Sequence, residues 1–232
     1  MNENFRIYNN AVSTAFTSLV KTDDLIARKT ESFLKILKTK EIKTVLHCGF
    51  GPVAIGLVKE GYDVSLMDNT MVPIEYNDLF SDPDFNKRYD AVIALDEYLT
   101  FANDEEEQKK LIINTCDLTK DLLIVTLSDF KNMPDNNKEF SEPQGYKTKD
   151  GYRTYLEKNT RGRNFYTTKI YEIDEKDELT VYGPMNRRML FFKQLARQAE
   201  DNKSLSFNFQ KNLMYKGMLK KNYEHIIAIN FS

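Results

Sequence analysis

Val45-Leu46-His47-Cys48-Gly49-Phe50-Gly51-Pro52 decides how the chain is read. Thr44 to Cys48 is a short β-prone run, and Gly49 to Pro52 is a glycine-rich turn. Val53 to Val58 reads as a helix that Gly61 ends, and Tyr62 to Met67 reads as a second strand that stops at Asp68. Strand, tight turn, helix and strand in that order form the unit of a parallel sheet. Glycine in such a turn permits close approach of a ligand to the backbone. A carboxylate at the tip of the second strand, such as Asp68, can accept hydrogen bonds from both hydroxyls of a ribose.

The pattern continues on both sides. From Asn10 to Lys38 apolar residues recur at helical spacing, with a polar break at Thr22-Asp23-Asp24. Tyr89 to Leu95 and Leu122 to Leu127 are apolar runs of the kind buried on both faces of a parallel sheet. Glu105 to Lys120 between them is amphipathic, and its leading acids suit a helix start. Alternation of strands and helices predicts an α/β fold: a Rossmann-like, doubly wound, mostly parallel sheet with N-terminal helices. After Asp129 the period fails. Lys131 to Lys149 reads as a loop, and Asn164 to Ile173 with Glu178 to Tyr182 as a β-hairpin inserted after the fifth strand. Met185 to Glu200 reads as a helix, and Leu205 to Met214 and His225 to Phe231 as two terminal strands, antiparallel to each other. The expected organisation is one domain: a helical segment over 1–42, a cofactor-binding core over 43–130, an acceptor-covering insert over 131–184, and a helix and strands completing the core over 185–232.

Composition removes several classes. In 232 residues the formal net charge is −2, so the chain is no polycation of the general DNA-binding kind. Cys48, Cys116, His47 and His225 are the only cysteines and histidines, too few for a disulfide framework or a zinc site. No apolar run approaches bilayer length and the N-terminus has no signal-peptide pattern, so a cytoplasmic location is expected.

Two ligand classes use such a turn. Gly49-Phe50-Gly51-Pro52-Val53-Ala54 matches the G-x-G-x-x-A variant of the dinucleotide fingerprint, which would make the chain an NAD(P)-dependent oxidoreductase. It also resembles the first motif of the class I, Rossmann-like S-adenosylmethionine-dependent methyltransferases. The spacing of nineteen positions from Gly49 to Asp68, the leading helices and the terminal antiparallel strands favour the second. The resemblance covers roughly Tyr8 to Asp129. It implies S-adenosyl-L-methionine as cofactor, held by His47, Gly49, Phe50, Gly51, Asp68, Asn69 and Leu95. It further implies that Asp78 meets the adenine amino group while Leu79 packs on the ring. Tyr89-Asp90-Ala91-Val92-Ile93 is similar to the family's fourth-strand motif and leads to Asp96, Glu97 and Tyr98 at the reacting centre. The chain departs from the pattern at His47, where the family usually has an acid, and at Val53, where it has a third glycine. Between Asp68 and Asp78 there is room for a helix or a strand, hardly for both.

Displacement at a sulfonium methyl needs positioning above all, and a base only when the acceptor arrives protonated. Asp96 and Glu97 are the candidates to orient or deprotonate an amine or hydroxyl, with a helix cap as their other reading. Tyr98 could aim its oxygen at the methyl or simply pack in the core. Tyr146 to Tyr171 interleaves Lys147, Lys149, Arg153, Lys158, Arg161, Arg163 and Lys169 with Tyr146, Tyr152, Tyr155, Phe165 and Tyr166. Such a stretch either closes a small-molecule pocket or grips RNA. The favoured reading is a methyltransferase acting on an N or O nucleophile of a small acceptor. The alternatives are an RNA or protein methyltransferase, an inactive methyltransferase-like binding module, and the oxidoreductase.

Overall fold

The computed structural model describes residues 3–19, 23–49, 51–68, 72, 74–96, 98–128, 143–200, 205–215 and 224–231. Two helices lead, α1 (Glu3–Ser18) and α2 (Asp23–Leu37). Phe5, Tyr8, Val12, Ala15 and Phe16 recur every three or four residues and are all buried. Phe5 and Tyr8 therefore carry the apolar stripe through a polar stretch, and α1 starts well before Asn10. On α2 the buried face is Ile26, Thr30, Phe33 and Leu37, with Asp23 and Asp24 at the positive end of the helix dipole.

The main sheet follows the expected alternation. β1 (Thr44–Cys48), α3 (Pro52–Lys59), β2 (Asp63–Leu66), β3 (Tyr89–Ala94), α4 (Glu105–Asp117), β4 (Thr119–Leu127), and later α5 (Phe192–Glu200), β9 (Leu205–Tyr215) and β10 (Glu224–Phe231) build it. The order is β2-β1-β3-β4-β10-β9, with the first four strands parallel. The antiparallel β10 lies between β4 and β9. β1 and β3 are buried along nearly their whole length, which is why they read as continuous apolar runs. At the far end from the turn, Asp90 ties these two strands together. Its Oδ2 accepts from the amides of Lys43 and Thr44 at 3.0 Å each, and Lys120 lies 3.2 Å from Oδ1. Burial alone pushes the Asp90 carboxyl up, but those amides and Lys120 hold it below its ordinary value.

α3 packs against α2 at Gly56, where an added Cβ would lie 1.9 Å from Thr30 Oγ1. Asp104 caps α4 by accepting from Glu107 N at 2.8 Å, and the Glu107 carboxylate accepts from Asn103 N at 2.6 Å. The acidic run is thus a helix start. Between β2 and β3 the described chain makes only a 3-10 turn, Ile74–Leu79, and a single parallel bridge, Ser65 to Ser81.

A second sheet is larger than the expected hairpin. β5 (Gln144–Thr148), β6 (Gly151–Arg161), β7 (Phe165–Ile173) and β8 (Leu179–Arg188) pair in that order, each antiparallel to the next. Two expectations are corrected here. Residues 144–148, read as loop, form β5. The helix expected from Met185 is strand as far as Arg188 and becomes helical only at Phe192. The reason is alternation: Met185 and Arg187 are buried while Asn186 is exposed, a two-residue period that pairing with β7 enforces. α1 packs along β8, and the Lys149 amide donates to Ser18 O at 2.8 Å, so the second sheet is fastened to the N-terminal helix.

Candidate active site

Strand order reverses around β1. The chain goes from β1 to β2 on one side and later to β3 on the other, so the switch point at which open α/β sheets form a ligand crevice lies at the carboxyl ends of β1 and β3. Gly49 and Leu95, the residues that follow these strands, meet there. Leu95 N donates to Cys48 O at 2.7 Å. Gly49 has φ +125°, and a Cβ on it would lie 3.0 Å from both Cβ and O of Leu95. Both the dihedral and the space demand glycine. Gly51 caps the buried start of α3 through its backbone, and Pro52 occupies the first turn, where no amide is needed.

Around this crevice the expected residues separate into groups. Asp68, half-buried, ends the β2 segment, and Tyr98 is buried in a 3-10 turn after β3. The Tyr98 hydroxyl is pushed far up, first by burial and then by the neighbouring Cys48 and Asp68, so it stays protonated. Asp68 and Tyr98, from strands on opposite sides of β1, are thereby close enough to feel each other. Asp96 is buried with φ +53°, a left-handed conformation that aspartate tolerates. Its Oδ1 accepts from the Tyr8 hydroxyl at 3.4 Å. His47 is wholly enclosed. Burial lowers its pKa to about 3, with a smaller opposing effect from the Gly49 backbone, so the imidazole is neutral at ordinary pH. Asp78 and Leu79 lie exposed on the 3-10 turn after β2. Phe50, Asn69 and Glu97 lie outside the described residues, as does Asp129.

Two residues that the sequence did not single out complete the arrangement. Arg187, on the inward face of β8, is buried, with its guanidinium 4.8 Å from the Tyr8 ring, 4.7 Å from Phe101 and 5.5 Å from Tyr166. Its Nη1 donates to the Tyr166 hydroxyl at 3.2 Å. Tyr8 therefore carries a buried acid on its hydroxyl and a buried cation on its ring, joining α1, the end of β3 and the second sheet. The only sequence signal for Arg187 was its place in the Met185–Met189 alternation.

A cleft of about 810 Å³ reaches the strand ends at Met67 and Tyr98 and runs along α4, with Phe5, Phe101, Phe85 and Leu111 among its walls. That volume lies in the range of small-ligand pockets, about 300–1,000 Å³. No cluster of metal-ligating side chains occurs among the described residues, and no helix there is long and apolar enough to cross a membrane.

No family model and no curated protein sequence matches the chain. Solved structures do match its fold. DesVI from Streptomyces venezuelae superposes with a TM-score of 0.70 at 11% identity, covering 96% of this chain and 97% of that one. The sugar N-methyltransferase KedS8 from a Streptoalloteichus species gives 0.66 at 12% identity, over 89% of this chain and 87% of that one. CalS10, an amino pentose methyltransferase from Micromonospora echinaspora solved with S-adenosylmethionine bound, gives 0.65 at 12% identity, over 100% and 99%. At these identities the likeness is one of fold: the chain has the architecture of the class I methyltransferases along nearly its whole length.

Proposed function

We propose that the chain is an S-adenosylmethionine-dependent methyltransferase that modifies an N or O nucleophile of a small acceptor. The observation that carries the reading is the turn after β1, where Gly49 packs on Leu95 and admits no side chain, at the point where strand order reverses and beside the cleft that reaches Met67 and Tyr98. The residues fit a nucleoside cofactor. Gly49 and Gly51 let a ligand lie against the backbone, and Asp68 accepts hydrogen bonds from the ribose hydroxyls. Met67 and Leu95 supply apolar walls, Asp78 meets the adenine amino group, and Leu79 packs on the ring. Phe50 and Asn69, outside the described residues, are cofactor contacts by the resemblance alone. His47, neutral and enclosed, supports the turn rather than moving protons.

Bound S-adenosylmethionine supplies an electrophilic methyl group on a sulfonium that is already a good leaving group. The chain then has to orient the acceptor and exclude water. Asp96 is the group to align an amine or hydroxyl and take its proton, with Tyr8 fixing the carboxylate's direction. Glu97 adjoins it in sequence. Tyr98 stays protonated and offers its oxygen or its proton, not a negative charge. Arg187 and Tyr166 bring the inward face of the second sheet over Tyr8 and keep water from this corner.

A small acceptor suits the second sheet better than RNA does. Tyr155 and Tyr166 face inward and are buried, so they are not offered to bases. KedS8 is a sugar N-methyltransferase and CalS10 an amino pentose methyltransferase, which puts amino sugars first among candidate acceptors. The test is transfer of labelled methyl from S-adenosylmethionine to a panel of amino- and hydroxyl-bearing small molecules, with thermal stabilisation by the cofactor as the binding control. Stabilisation without turnover on any acceptor would favour the inactive binding module. Stabilisation by NADH alone would favour the oxidoreductase.

A further inference from the structure

We infer that the cleft along α4 holds the body of the acceptor, and that this acceptor is a phosphate-free organic amine carried on an apolar frame. The inference rests on the methyltransferase reading and narrows its acceptor. Topology explains why the space exists. The β2–β3 link and α4 both carry the chain across the sheet in the same direction, so right-handed crossovers set them on the same face. The described part of that link is only a 3-10 turn and one bridge, with no helix to cover the flank of α4. Leu111 and Leu118 are left half-buried there, and the Phe85 ring opposite is 58% exposed. The described walls include none of Gly49, Asp68, Asp78 and Leu79, the residues assigned to the cofactor, so the cleft is room for a second ligand. From Glu107 to Leu118 it follows α4 for about 16 Å, at 1.5 Å per residue.

Charge selects the occupant. Glu3, Glu107 and Asp117 line the cleft, and no lysine or arginine does. Arg6 offsets Glu3 at 3.0 Å, which leaves the walls acidic. A cleft of one sign between low-dielectric walls concentrates ligands of the other sign. Phosphate has no counterpart here. Arg187, behind Phe101, is engaged by three rings and Tyr166, and Arg188 lies 2.9 Å from Glu105. The direction of the ligand follows from the rings at the upper end. Phe5 lies 5.1 Å from both Tyr98 and Phe101, and Phe101 lies 5.5 Å from Tyr8, whose hydroxyl meets Asp96. Glu107 stands at the same end, bonded to the Asn103 amide. The amine therefore belongs near Glu107 and Asp96, with the apolar frame running down toward Leu118 and Phe85. The sugar names of the neighbours bear on the reacting end of an acceptor; the cleft bears on the rest of it.

The test is fluorescence titration of the whole chain, without cofactor, with dansylcadaverine, a naphthalene ring on a chain that ends in a primary amine. Its N-acetyl derivative removes the charge, and dansyl-6-aminohexanoate reverses it. The amine should bind about tenfold more tightly than the neutral probe, and the carboxylate more weakly than either. Glu107→Gln keeps a side chain that can close the α4 cap, so it should weaken the amine about threefold and leave the neutral probe unchanged. Leu111→Arg and Phe85→Ser should each weaken the amine about tenfold. Phe85 is exposed enough for its variant to fold if the other does not. Equal binding of the three probes, preference for the carboxylate, or an amine affinity that Phe85→Ser leaves unchanged would overturn the proposal. S-adenosylmethionine is titrated separately. If it binds and the amine does not, the acceptor inference falls alone; if the amine binds and the cofactor does not, the methyltransferase reading falls and takes the acceptor role with it.

Discussion

The two sheets bury their residues in different ways. In the six-stranded sheet, β1, β3 and β4 are buried along most of their length, and their buried side chains are mostly apolar, with His47, Thr119 and Thr126 as the polar exceptions. In the four-stranded sheet only one face is enclosed, and that face carries Glu157, Thr168, Glu172 and Arg187 among its buried residues. Glu172 is paired with Arg153, and the Tyr182 hydroxyl donates to its second oxygen at 2.7 Å. The first sheet is held by burial of apolar area; the second depends on polar groups that each need a partner. The first carries the Gly49 turn, and the second brings a buried cation against Tyr8. Polar pairing is the more fragile of the two, because removing one partner strands the other in a low dielectric.

Substitutions should expose that asymmetry. Arg187→Ala should cost the most, about 3 kcal/mol or more in denaturant unfolding, since it removes a desolvated cation from three rings and leaves a cavity. Gly49→Ala should cost about 1–3 kcal/mol through the left-handed dihedral and the clash with Leu95, and should also impair cofactor binding measured by titration. His47 predicts a pH effect of definite sign. Its folded pKa of about 3 lies below the ordinary 6.5, so the unfolded chain binds the extra proton between those values. This contribution to stability is complete above about pH 6.5 and falls by about 1.4 kcal/mol per unit as the pH drops toward 3. Unfolding curves of His47→Asn should show a correspondingly shallower loss in acid. Val181→Lys, on the solvent side of the second sheet, should change stability by less than about 0.5 kcal/mol.

The same asymmetry governs what the sequence disclosed. β1, β3 and β4 were legible because burial on both faces writes apolar runs, β2 because it follows Gly61 at the end of α3, and the Gly49 turn because only glycine fits it. The antiparallel pairing of β9 and β10 followed from the absence of a helix between them. β6 was not legible, since its inward residues include Glu157 as well as Tyr155 and give no apolar alternation. The start of α5 was placed too early because Met189, Leu190, Phe192 and Leu195 recur at helical spacing across the link between β8 and α5. At the site, Asp68, Leu95, Asp96 and Tyr98 could be named from their places at strand ends. Tyr8 could not: it meets Asp96 from 88 positions away, a contact made by packing of α1 and not by any motif. Arg187 reaches the same tyrosine from the other end of the chain for the same reason.

The proposed function rests on S-adenosylmethionine binding at the Gly49 turn with Asp68 on its ribose. Calorimetric titration of the chain and of Asp68→Ala with S-adenosylmethionine, its demethylated product and NADH tests it most directly. The first two should bind and NADH should not, and Asp68→Ala should lose about 1–3 kcal/mol of affinity while staying folded. Binding of NADH alone, or of no ligand by the folded protein, would contradict it.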